Sequence, residues 1–202
     1  MLGLPKSTEI YKPLPIKTVF DKFKLDAAAR RLFDEQISGL AIVSEISPHT
    51  VNIASGSDIS AVYVISVTLK TPDCDKRNII FMSNLINQRM LFILEYENSA
   101  RLAVYRIGKV ILSGSKPIDE WELNLFGPDL TTIWENVIAQ IGGIELTDDK
   151  SLDEVIIENA HREKLIKQIA VLEKKAMSEK QPRRKWEFVE EIKRLKNEVE
   201  NR

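Results

Sequence analysis

Two apolar stripes separated by Pro182 constrain this chain more than any other feature. Leu165, Ile169, Leu172 and Ala176 recur at steps of four, three and four, and Phe188, Ile192, Leu195 and Val199 repeat that spacing beyond the proline. Such a repeat marks one face of a helix that packs on another helix. Each stripe covers only about two heptads, and isolated helices below roughly 12–15 residues are marginal in water. The stripes must therefore find cover. Pro182 either ends the first helix or sits in the first turn of the second, because it lacks an N–H and fixes its own φ. Both placements give a helical hairpin or short coiled coil. Its apolar edge, Leu165, Ile169, Leu172, Trp186, Phe188, Ile192 and Leu195, is the expected interface for a protein partner or a second copy. Trp186 is assigned either to the hairpin interface or to a surplus edge left for the partner.

Upstream of the tail the periodicity changes. Pro5, Pro13 and Pro15 make the first fifteen residues an extended arm. "PIKTVFDKF" places Ile16, Val19, Phe20 and Phe23 on one helical face, and Asp26 offers an N-cap to a second short helix carrying Ala29, Leu32, Phe33 and Ile37. Three β-rich runs follow, "LAIVSEI", "TVNI" and "ISAVYVISVTLK", separated by turn-prone segments. A helix is expected within 73–88, capped near Asp73 or Asp75. "RMLFILEYENSARLAVYRIGKVIL" predicts a meander turning at Asn98-Ser99 and at a Gly-Lys pair, and "EWELNLF" predicts one more strand. "GPDLTTIWENVIAQIGG" predicts a helix capped by Asp129, with Leu130, Ile133, Trp134, Val137, Ile138 and Ile141 on one stripe and Gly142 at its stop.

This order of elements implies an α+β fold with a mixed or largely antiparallel sheet and packed helices. The organisation expected is a globular domain over 1–150, including the extended arm, and a helical tail over 151–202. Ser151 and Glu154 form the capping box that opens the tail.

Composition narrows the chemistry. The single cysteine, Cys74, leaves no internal disulfide framework and no cysteine-rich zinc site. There is no Walker or GxGxxG loop to cradle a phosphate. His49 lies in a turn and His161 on a charged helix, positions where a solvated side chain is the ordinary state rather than a catalytic base. No catalytic residue, metal site or cofactor is assigned. The N-terminus lacks a signal-peptide pattern and no apolar run approaches a membrane span, so a cytoplasmic protein is expected.

Two alternatives involve nucleic acid. Glu95, Glu97 and Asp58 are carboxylates at strand ends of the kind that hold magnesium in nucleases. Glu95 and Glu97 lack the lysine two residues downstream that restriction-type nucleases use, and read as solvent-facing hairpin residues. The stronger electrostatic feature is the basic knot Lys180, Arg183, Arg184 and Lys185. Residues 173–202 carry ten basic and seven acidic side chains, against sixteen and nineteen in residues 1–150, so positive charge is concentrated in the tail. Such a knot can contact phosphates, with Trp186 beside it to stack on a base.

The segments "MLGLPKSTE", "VNIASG", "LFILEYE", "LTTIWENVIAQI" and "LEKKAMSEKQPRRKWEFVEEIKRLKNEV" together resemble one prokaryotic family, domain of unknown function 4391, almost from end to end. The resemblance brings no established activity and no catalytic residues. It implies an accessory component encoded beside helicases and DNA methyltransferases in restriction-modification or phage-defence clusters. The expectation is accordingly a non-catalytic interaction subunit, with a helicase or methyltransferase subunit as a candidate partner. Nucleic-acid binding through residues 180–185 and a magnesium nuclease-like domain stand as alternatives.

Overall fold

A computed structural model describes residues 2–22, 26–54, 56, 59–147 and 149–200. The chain divides into two compact units, Met1–Leu146 and Thr147–Arg202.

The first unit is built on a mixed sheet. Among the described residues it contains β1 (Glu9–Pro13), β2 (Ile37–Ile46), β3 (Val62–Leu69), β4 (Arg89–Tyr96), β5 (Ser99–Arg106), β6 (Lys109–Leu112) and β7 (Lys116–Pro117). The first six lie side by side in chain order, and β7 pairs with β5. The β3–β4 pair is parallel, running in register from Val62 opposite Arg89 to Thr68 opposite Glu95, and the other pairings are antiparallel. A parallel pair needs a crossover, which here contains α4 (Lys76–Met82). Parallel strands are normally covered on both faces, and the sequences agree. In β4, "MLFIL" is an unbroken apolar run, with every residue from Met90 to Leu94 buried.

Alternate residues of the run serve opposite faces of the sheet. Phe92 and Leu94 join Ile65, Val67 and Ala103 in a cluster completed by Phe33 of α2 (Ala27–Gln36), by Ile79 and Met82 of α4, and by Val19 of α1 (Ile16–Lys22). Phe33 sits edge-on to both Phe20 and Phe81, with ring centroids 5.4 and 5.8 Å away. The reverse face is served by α5 (Leu130–Gly142), which lies against β5 and β6 and whose Glu135 meets Arg106 of β5 at 3.0 Å.

Local sequence rules account for the helix ends. Asp26 accepts a hydrogen bond from the Ala29 N–H at 2.7 Å, Asp75 from the Arg77 N–H at 2.8 Å, and Asp129 from the Thr132 N–H at 2.9 Å. Helix α5 stops at Gly143, whose φ of +59° lets the chain reverse and its N–H reach the Ala139 carbonyl. The helix expected within 73–88 is confined to α4. The expected position of Phe23 lies outside the described residues.

Three expectations need correction. "TVNI" is not a strand: α3 (Pro48–Val51) forms there, with proline in its first turn, and Ser47 and Thr50 close a capping box before Asn52 turns left-handed at φ +53°. Part of the extended arm forms β1, which pairs with β2. Both hairpin turns fall one residue earlier than expected. Tyr96 pairs with Ser99 across Glu97-Asn98, and Arg106 pairs with Lys109 across Ile107-Gly108. Finally, "EWELNLF" makes no strand. The Gln140 side chain takes the place of a strand neighbour there, accepting from the Asn124 N–H at 3.0 Å and donating to the Asn124 carbonyl at 2.9 Å.

Candidate interaction surface of the C-terminal hairpin

The second unit contains α6 (Leu152–Ser178) and α7 (Pro182–Glu200). Ser151 and Glu154 form the expected capping box, with the Ser151 N–H donating to Glu154 Oε2 at 2.8 Å and the Glu154 N–H to Ser151 Oγ at 3.3 Å. Hydrogen bonds from the Ser151 side chain and backbone hold the Glu154 carboxyl below its ordinary pKa. Glu179, Lys180 and Gln181 link the helices, and Pro182 opens α7, where its missing N–H costs nothing.

The two stripes face each other. Leu165, Ile169 and Leu195 are 5 %, 8 % and 5 % exposed, and Leu172, Ile192 and Val199 pack around them. Three positions assigned to a partner, Leu165, Ile169 and Leu195, are therefore closed inside the hairpin, because each narrow stripe finds its complement on the other helix. Leu172, Phe188 and Ile192 are half-buried. Ion pairs flank the seam: Lys196 meets Glu173 at 2.8 Å and Arg194 holds Glu191 at 2.6 Å. These side chains are largely solvated, so the pairs add little to stability.

Trp186 is 64 % exposed and does not belong to the seam. The sequence carried that signal. Trp186 stands two residues before Phe188, and two residues turn a helix by about 200°, so the two side chains leave α7 on opposite sides. The same reasoning applies to residues adjacent to the stripes. Ile157, Ile166, Val171, Met177 and Val189 follow or precede a buried or stripe position by one residue and are exposed, Met177 by 83 %.

The basic knot lies at the hairpin turn. Arg183 reaches Glu187 at 3.6 Å, while Lys180, Arg184 and Lys185 form no ion pair among the described residues. His161 Nε2 stands 3.9 Å from Glu198 Oε1, and His49 is exposed in α3. Of the carboxylates considered for magnesium, Glu95 accepts a hydrogen bond from Ser66 Oγ at 2.7 Å and Glu97 occupies the β4–β5 turn at φ +51°. Asp58 lies outside the described residues. Among the described residues no group of three or more His, Cys, Asp or Glu is placed to hold a metal ion, and no helix is long and apolar enough to cross a membrane.

The arrangement defines an α+β body carrying a helical hairpin. A family profile described as domain of unknown function (DUF4391) matches residues 2–199, nearly the whole chain, and the protein belongs to that family. No curated protein and no solved structure matches the chain.

Proposed function

We propose that this protein is a non-catalytic interaction subunit that docks a protein partner through the flanks of its C-terminal hairpin. The observation that carries the reading is the exposure of Trp186 and Met177 on helices whose own seam is already closed. Large apolar side chains left outside a completed seam gain stability only when another surface covers them, and exposed tryptophan is a frequent energetic anchor of interfaces. The resemblance to accessory components suggests a helicase or DNA methyltransferase subunit of a cytoplasmic restriction-modification or phage-defence assembly as the partner.

The test is co-expression with a helicase and a DNA methyltransferase of a restriction-modification system, followed by purification of the complex. Trp186→Ala and Met177→Ser, both solvent-facing, should release the partner while leaving the circular-dichroism spectrum unchanged. A complex indifferent to both substitutions would overturn the reading.

A second reading, nucleic-acid binding, is favoured by the same exposed indole beside Arg184 and Lys185. Single-stranded DNA should then bind with steep salt dependence and lose affinity when Arg183, Arg184 and Lys185 become glutamine. Absence of binding at low salt removes it.

A further inference from the structure

The two helices of the hairpin border a shallow, open groove of about 720 Å³ along one flank of the seam. Its apolar floor is contributed by Ala160, Val171 and Leu172 of α6 and Leu195 of α7. Val171 is 51 % exposed there, although Leu172 beside it packs into the seam. Above this floor stand Lys164, Lys167 and Lys175, with Arg194 facing them from α7. The acidic groups at the rim are Glu163 and Glu191. Glu191 is already engaged, its two carboxylate oxygens accepting from Arg194 at 2.6 and 2.9 Å. Lys164, Lys167 and Lys175 have no ion-pair partner among the described residues.

We infer that this groove receives an acidic amphipathic helix of a partner protein, an assignment that rests on the interaction reading above and names the partner's chemistry. Ala160 to Lys175 spans about 22 Å of helix, enough to seat about 15 residues of a third helix. Such a helix places apolar side chains at i, i+3, i+4 and i+7 on the accessible Ala160, Val171 and Leu172 and its Asp or Glu flank against the three lysines. Charge complementarity selects this occupant. A second copy presenting the same groove would set three unpaired lysines against three more. A nucleic-acid backbone would satisfy the lysines but leave the apolar floor without an apolar partner.

The test uses the full-length protein and a fluorescently labelled peptide of about 16 residues, with leucines at heptad spacing and glutamates on the flanks. A peptide with lysine in place of each glutamate, and a labelled DNA duplex, serve as competitors of different chemistry. The acidic peptide should bind and the basic one should not. The triple variant K164E/K167E/K175E, whose positions are all solvent-facing, should weaken the acidic peptide by about tenfold or more and gain affinity for the basic peptide. Val171→Asp should weaken the acidic peptide with the lysines intact.

Equal affinity for both peptides, or no response to charge reversal, overturns the assignment. So does a duplex that displaces the acidic peptide and is itself lost on charge reversal, which would give the groove to phosphate. A dimer seen by light scattering that charge reversal splits would give it to a second copy and also overturns the proposal. If the peptide fails to bind while Trp186→Ala still breaks the co-expressed complex, the acidic helix is wrong and the interaction reading stands.

Discussion

The body and the hairpin solve the same burial problem with different amounts of surface. In the body, β3 and β4 are covered on both faces, and Ile65, Val67, Leu91, Phe92 and Ile93 are wholly buried. In the hairpin, one seam holds Leu165, Ile169 and Leu195, while Ile157, Ile166, Val171, Met177, Trp186 and Val189 lie off that seam and are exposed. A central strand has two faces and both are spent on the fold. A helix in a two-helix hairpin has a circumference of which only one stripe is spent. Exposed apolar groups therefore collect on the hairpin.

This contrast can be broken at its strong end first. Phe92→Ala removes a ring from a close-packed two-sided core and should cost about 3–5 kcal/mol, read as a lower urea midpoint. Cys74 reports where the damage lies. Its thiol packs against the same cluster, and burial, reinforced by the charge of Asp75, pushes its pKa up to about 12. In the intact protein it should react slowly with thiol reagents at neutral pH, and Phe92→Ala should accelerate it strongly.

Leu195→Ala should cost about 2 kcal/mol, near the low end for such truncations because the seam is open on its flanks. Amide exchange should quicken along α6 and α7 while Cys74 stays slow. If Leu195→Ala exposes Cys74 as Phe92→Ala does, the two units do not hold their cores separately.

The smallest effect is expected from pH at the start of α6. The folded-state pKa of Glu154 is depressed, so its capping contribution is complete above the ordinary glutamate pKa and is lost as pH falls through the depressed value. Fraying of the first turn of α6, followed by amide exchange or NMR shifts of residues 151–155, should appear on acidification and be absent in Glu154→Gln. Strand amides of the body should not respond over that range.

Much of the fold was legible because its signals are local. Asp129 before a long amphipathic stripe, Ser151 with Glu154, and Pro182 between two heptad runs each concern residues within a few positions of one another. The failures have a common cause. "EWELNLF" alternates like a strand, yet the Asn124 backbone is satisfied by Gln140, sixteen residues further on, and the Leu123 N–H by the Leu2 carbonyl. "TVNI" has strand propensity, yet Ser47 and Pro48 make a helix start more favourable. Of the candidate surface, Trp186 was visible as a residue but the hairpin groove was not. The groove exists only because the register of α7 on α6 brings Arg194 and Leu195 beside Val171.

The sequence by itself determined most of the elements and their caps, the α+β character and the presence of two complementary stripes, since these follow from dihedral preferences and spacing along one chain. Tertiary structure decided which apolar residues are consumed and which remain outside. That choice depends on how one helix meets another, and a contact between distant segments is fixed by packing rather than by either segment alone.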